Sequence, residues 1–158
     1  MEHDRVYGYD AVVSIEMFAA VGKSLWPVYF HALKQLLKPR SRALIQSITI
    51  SVSQFETYRT SSDFVREFIF PGGMLPSLER FVDTARRAGL APEPVRAFGP
   101  DYARTCLAGP IRSTRRLGAC AAVDETFIRT WRLYLANCEA GFAERRTDVM
   151  HFIVSSGS

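Results

Sequence analysis

The 158-residue sequence is short of most features that would name a function by themselves. Its three cysteines, Cys106, Cys120 and Cys138, are odd in number and have no C-x-x-C spacing, so neither a disulfide framework nor a zinc site is indicated. Its three histidines, His3, His31 and His151, lie far apart and form no H-E-x-x-H or other ligand spacing, so no metal is expected. No apolar run approaches the roughly 20 residues of a membrane helix. The N-terminal residues Met1, Glu2, His3, Asp4 and Arg5 are too acidic and too polar for a secretory signal, which leaves a cytoplasmic chain as the expectation. The ten glycines never fall as G-x-G, and there is no P-loop, no G-x-S-x-G elbow and no kinase motif set.

Strong charge of one sign is missing too. The formal charge is +4, but basic residues occur in no block longer than pairs such as Arg86-Arg87, Arg115-Arg116 and Arg145-Arg146. A solvated arginine-rich exterior accounts for this, and without a basic stripe interleaved with aromatics no nucleic-acid partner is expected. The apolar share of 47% against 23% charged is that of a globular protein able to bury a core. The length allows one ordinary domain or a substantial piece of a larger one.

The order of elements that remains is α/β. Residues 9–15 form a short apolar run, β-branched in part and led in by Gly8, which reads as a buried strand followed by a loop over 16–22. Ser24 is a good N-cap, Pro27 is tolerated in a first turn, and Trp26, Phe30, Leu33 and Leu37 recur at helical spacing until Lys38-Pro39 stops them. Residues 42–50 make a second strand, which completes a right-handed βαβ unit with parallel strands. Residues 51–70 are helical and aromatic, and they read either as a cap over an active site or as an amphipathic hairpin packed on the sheet. Ser77 caps a further helix that closes at Gly89. Pro92 and Pro94 demote residues 94–98 to an edge strand, 124–143 form a long helix, and 149–154 form a last strand expected antiparallel beside the second.

Parallel strands normally bind a nucleotide-like cofactor at a glycine-rich turn after the first strand, and that turn is not in this sequence. Several strings then carry a resemblance. They are Y-D-A-V-V-S-I-E-M-F from Tyr9, L-K-P from Leu37, R-A-L-I-Q-S-I-T-I from Arg42 and F-I-F-P-G-G-M-L-P from Phe68. F-G-P-D-Y-A from Phe98, Y-L-A-N-C-E-A-G-F from Tyr134 and T-D-V from Thr147 complete the set. In this order they resemble the C-terminal half of cyclopropane-fatty-acyl-phospholipid synthases and the related mycolic acid cyclopropane synthases, over nearly the whole chain. The resemblance implies the C-terminal half of a Rossmann-like class I methyltransferase sheet with a helical cap. S-adenosylmethionine would be the cofactor, and its glycine loop would lie in a missing N-terminal half, so the isolated chain is expected to be truncated and inactive.

The implied reaction adds a methylene across a cis double bond of an acyl chain in a membrane phospholipid. An alkene is a weak nucleophile and the product of attack is a carbocation, so the site must be dry, poor in stray nucleophiles and supplied with a base. The resemblance implies that this base is a bicarbonate held by a Glu, a His, a backbone group at an Ile and a Tyr. The Tyr corresponds to Tyr102 and the Ile to Ile48. The His position holds Gln46, whose amide can hydrogen-bond an anion but not take up a proton. The Glu position holds Ala19, so bicarbonate is expected to lose its acidic ligand, while Glu16 reads as a local structural residue. Cys138 matches the family's cysteine position, yet no basic group near it in sequence would activate it, and a packing role is the physical alternative. Phe70, Pro71, Gly72 and Gly73 are expected to line the acyl tunnel, and Ser14 and Ile15 to lie beside the methionine part of the cofactor.

One stretch departs from the family. Residues 106–123 replace an expected amphipathic helix, and Gly109-Pro110 would break one, so either a local frame slip or a real loop is expected. The partners implied are phospholipid acyl chains reached by peripheral contact with the inner membrane, with a homodimer possible. The competing functions are a non-catalytic acyl-lipid-binding remnant and a related small-molecule methyltransferase.

Overall fold

A computed structural model of the protein describes residues 8–117 and 124–156. Strand β1 (Tyr9–Ile15) lies parallel to β2 (Leu37–Ile50), joined by helix α1 (Trp26–Leu36), as the apolar runs and the intervening helical period require. Helices α2 (Val52–Thr60), α3 (Phe64–Phe68) and α4 (Leu78–Arg87) follow, then β3 (Leu90–Ala97), α5 (Gly99–Leu117), α6 (Glu125–Ala143) and β4 (Thr147–Ser156). Among the described residues the sheet has four strands in the order β1-β2-β4-β3, with β4 antiparallel to both of its neighbours. The α/β class and the expected placement of the last strand are both met.

Four local expectations need correction. β1 is not the buried strand expected: among the described residues it is an edge of the sheet, and Tyr9, Val13 and Ile15 are exposed. Ser24 does not cap α1: residues 23–25 form a 3₁₀ turn, and the helix starts at Trp26 behind Leu25 without a side-chain cap. Lys38-Pro39 ends the helix but not the extended chain, because the residue before a proline favours β geometry and β2 starts at Leu37. Arg40 has φ 64°, and the β1–β2 register shifts between Tyr9 and Ala11, so this end of the ladder absorbs the missing proline N–H as an irregularity. Gly109-Pro110 does not end α5, which continues to Leu117. An interior proline costs a helix about 3 kcal/mol, and packing of α5 along α6 offsets it. Residues 118–123 of the stretch ascribed to a frame slip lie outside the described residues.

The caps expected at Ser77 and Gly89 form, and Asp124 adds one that was not expected. The Ser77 hydroxyl accepts from the Arg80 amide, the Asp124 carboxylate accepts from the Phe127 amide at 2.7 Å, and Gly89 turns the chain after α4 with φ 75°.

The core lies on one face of the sheet, under α1 and α4. Phe18, Phe30, Phe81 and Phe152 are fully buried there with Ala43, Ile45 and Val154. Phe81 stacks on Phe152 at 3.8 Å and meets Phe18 and Phe30 edge-on at about 5 Å. Phe55 and Tyr58 of α2 join this core, so that part of the aromatic segment follows the packed-hairpin alternative. Alternation along β2 and β4 sends Gln46, Ile48, Val149 and His151 to the opposite face, toward α5 and α6.

Candidate active site

The polar side chains of this second face converge where β1 and β2 end. Gln46 and His151 are direct register partners across the antiparallel β2–β4 pair, which puts both side chains on one face a few ångströms apart. His151 Nε2 lies 2.9 Å from Gln46 Oε1, so the imidazole donates and the amide oxygen accepts. That contact fixes which way the amide points. Its nitrogen, Nε2, then donates to Glu16 Oε1 at 2.9 Å and to the Tyr102 hydroxyl oxygen at 2.8 Å. The second carboxylate oxygen, Glu16 Oε2, faces the Ile48 backbone N–H at a long 3.4 Å.

Each member is set by a nearby fold element. Glu16 immediately follows β1 and extends its ladder through a backbone bond from its N–H to the Gln46 carbonyl. Its φ of 56° lies in the left-handed region, which is uncommon for a residue with a side chain and costs roughly 1–2 kcal/mol. Tyr102 is carried by the first turns of α5. Asp148 Oδ1 accepts from the N–H groups of Gly99 and Val149 at 2.7 and 2.8 Å, pinning the start of α5 to β4. A side chain at position 99 would come within 2.8 Å of that carboxylate, so glycine is required there by close approach. Phe98 packs edge-on against both Tyr102 and the His151 ring, and Phe142 closes the far side of Tyr102.

An aromatic wall adjoins this polar group. Phe70 meets Tyr134 of α6 edge-on at 5.9 Å, and Trp131 packs on Tyr134 at 5.0 Å. Burial raises the Tyr134 hydroxyl well above its usual range, and α6, which carries Tyr134, also carries Phe142 against the Tyr102 ring. Burial likewise pushes the Cys138 thiol up to about 11, against a partly compensating hydrogen bond from Tyr134. Such a thiol is mostly protonated at neutral pH, which favours the packing alternative for Cys138 over an activated nucleophile.

The structure thus brings together Gln46, Ile48 and Tyr102 as expected, and sets Phe70 and Cys138 beside them. The Pro71, Gly72 and Gly73 turn does something else. Met74 N–H donates to the Ala19 carbonyl at 2.8 Å, and a Cβ on Gly22 would lie 3.0 Å from the Gly72 carbonyl. Gly73 thus packs close to the loop after β1, where a Cβ would lie 3.5 Å from the Ala19 carbonyl, while Pro71 and Gly72 are exposed. Ser14 is engaged by the Tyr29 hydroxyl at 2.8 Å, and Ile15 is half exposed at the end of β1. Position 19 carries no acid, and the carboxylate that meets Gln46 and Ile48 is that of Glu16. In the sequence Glu16 reads only as a local structural residue, and His151 does not stand out as a site residue. Glu16 stands three residues upstream of the expected position, and His151 meets Gln46 only through a cross-strand register that spacing does not reveal.

Residues 9–16 end at the carboxyl edge of a parallel strand, where sheets of this kind usually take ligands. Among the described residues no group of His, Cys, Asp and Glu could hold a metal, and no helix is long and apolar enough to cross a membrane.

Comparison with known proteins gives this arrangement a lineage. Residues 3–152 match the family described as mycolic acid cyclopropane synthetase. The tuberculostearic acid methyltransferase UfaA1 of Mycobacterium tuberculosis is 40% identical over 144 residues, 89% of this chain and 34% of that protein. The cyclopropane-fatty-acyl-phospholipid synthase of Escherichia coli K12 is 28% identical over 94% of this chain and 38% of its own length. The crystal structure of the mycolic acid cyclopropane synthase CmaA1 complexed with SAH and CTAB superposes with a TM-score of 0.81 at 24% identity, over 98% of this chain and 57% of that one. The fold is thus part of a Rossmann-like class I methyltransferase. The chain spans about a third of the length of these two curated relatives.

Proposed function

From its membership of the mycolic acid cyclopropane synthetase family, to which this chain belongs, we propose that it serves S-adenosylmethionine-dependent one-carbon transfer to the cis double bond of a lipid acyl chain. The observation that carries this reading is the meeting of a carboxylate-binding group (Gln46, Ile48 N–H, Tyr102) with an aromatic wall (Phe70, Tyr134, Trp131) at the carboxyl ends of β1 and β2. When bound, S-adenosylmethionine supplies an electrophilic methyl on a positively charged sulfur.

The chain's own residues supply the rest. The fit for the cofactor is partial: Ser14 and Ile15 would border its methionine end, while its adenosine would rest on residues other than these. The faces of Phe70 and Tyr134 suit a transient cation on the acyl chain, since a ring face attracts positive charge without attacking it. Exposed Phe68, Phe70 and Phe127 would offer apolar contact to an acyl chain entering from a phospholipid. Tyr102 accepts its hydrogen bond from Gln46, so its own proton remains free to donate into the site. The pocket made by Ile48 N–H, Gln46 and Tyr102 has the donors for a carboxylate or bicarbonate. The CmaA1 structure complexed with SAH and CTAB is consistent with the cofactor class in this reading.

The test is transfer of a ¹³C-methyl label from S-adenosylmethionine to dioleoyl phospholipid vesicles. It is run with the chain alone and with the chain joined behind the N-terminal part of UfaA1. Label in the acyl chain of the joined protein is the expected result, as a ring or as a methyl branch according to the product analysis. Vesicle binding without label in either form would favour an acyl-lipid-binding module, and neither binding nor label would remove the reading.

A further inference from the structure

We propose that the chain carries its own catalytic base, the Glu16 carboxylate, seated where the resemblance implies a bound bicarbonate, with His151 as the positioning residue that orients the seat. The inference rests on the one-carbon transfer reading for its chemistry but not for its geometry. The seat is the set of donors at the ends of β1 and β2, and both of its described contacts to an anion are made by Glu16: Oε1 to Gln46 Nε2 at 2.9 Å and Oε2 to Ile48 N–H at 3.4 Å. A side chain that holds these donors leaves no room for a second carboxylate-shaped anion on them, and like charge would repel one.

Two further features point the same way. Glu16 keeps a left-handed backbone that most residues avoid, and that backbone is what delivers its carboxylate to Ile48. Gln46 would repel a carboxylate if its amide were turned over, and His151 opposes that turn when its Nε2 carries the proton. His151 therefore acts through Gln46, without touching substrate.

In the step proposed, the acyl chain has already gained the methyl carbon and carries a cation on the adjacent carbon. A Glu16 oxygen takes one proton from that methyl. The electron pair of the broken C–H bond forms the new C–C bond that closes the three-membered ring and neutralises the cation. Glu16 is left as a neutral carboxylic acid and returns its proton to solvent through its half-exposed side.

Binding of bicarbonate to the ¹⁵N-labelled chain tests this without requiring turnover, read at the Ile48 backbone amide and the Gln46 side-chain amide. Glu16→Gly is the variant of choice, because glycine accepts a φ of 56° and removes only the side chain. The expected result is no saturable shift in the wild type and a saturable shift in Glu16→Gly. Adding His151→Phe should weaken that acquired binding about tenfold, and His151→Gln, which can still donate to Gln46 Oε1, should restore it. Saturable bicarbonate binding by the wild type at these two amides, as strong as in the variant, would overturn the assignment of the seat. Absence of binding in Glu16→Gly, with amide dispersion otherwise unchanged, would overturn it as well. Indifference to His151→Phe would remove the positioning role. A second arm measures label transfer by the joined protein in bicarbonate-free buffer. The wild type should be unaffected and Glu16→Gly slowed on the order of 10²-fold, with recovery on adding bicarbonate. Loss of all transfer in every form would count against the functional reading alone, since the binding arm stands apart from it.

Discussion

The two faces of the same strands do opposite work. Toward α1 and α4, β2 and β4 present Ala43, Ile45, Phe152 and Val154 to a closed aromatic core. Toward α5 and α6 the intervening residues present Gln46 and His151 to Glu16 and Tyr102. Because side chains alternate along a strand, each site residue is braced by core residues on either side of it. A precise polar group can stand on the less densely packed face, with Gln46 buried and Glu16, Tyr102 and His151 half-buried, because the opposite face is tightly packed.

That contrast can be broken by substitutions of graded effect. The largest belongs to Phe81→Ala. The ring is fully buried against Phe152, Phe18 and Phe30, so urea unfolding should show a loss of about 3–5 kcal/mol. The variant should leave the Gln46 side-chain amide resonances in place wherever it remains folded. A shift there as large as in Gln46 variants would mean that the faces are not separable.

The next effect is chemical. With the Cys138 thiol pushed up to about 11, the reactive thiolate is scarce at pH 7 and grows about tenfold per pH unit until near 11. Alkylation of Cys138 by iodoacetamide, followed by mass spectrometry, should be about a hundredfold slower than for an unperturbed thiol and should rise steeply with pH. Fast labelling at pH 7 would restore Cys138 as a candidate nucleophile.

Asp148→Ala should have a smaller effect, costing about 1 kcal/mol in urea unfolding, since two backbone N–H groups lose their acceptor. Unlike Phe81→Ala, it should also loosen Tyr102 over Gln46, visible as broadening of the Tyr102 ring resonances. The smallest effect is expected from Lys38→Ala. The Lys38 hydrogen bond and charge hold the exposed Asp10 carboxyl below its usual range. Any stability from the pair would be present above the unfolded carboxylate's value and fade as pH falls, but solvent screens it. The Asp10 titration should move up while the urea midpoint stays put.

The sequence disclosed the core face more readily than the site face, for a physical reason. Apolar periodicity is local, so the interior of β2, α4 and β4 were legible from it and from Ser77 and Gly89, whereas β1 was legible as a strand but not as an exposed edge. Motif order also located Gln46, Ile48 and Tyr102. The route by which Glu16 and His151 reach them was hidden. One depends on a left-handed backbone at a residue that is not glycine, the other on which residue of β4 lands opposite Gln46. The start of β2 was missed because Pro39 looked like a stop, whereas at a strand's first residues the lost N–H is tolerated.

The sheet order β1-β2-β4-β3 also bears on how the protein comes into being. β4 is made after the other three strands, yet it lies between β2 and β3. During synthesis β2 can pair with β1, but its other edge and the whole of β3 wait for residues 147–156 to leave the ribosome. A nascent chain therefore shows open, apolar strand edges for most of its time on the ribosome, the condition in which chaperones are recruited and aggregation begins. Translation that stalls anywhere before Thr147 would release a polypeptide with the aromatic core incomplete and Gln46 unoriented, so quality control and the maturation of the site would hinge on the same ten residues.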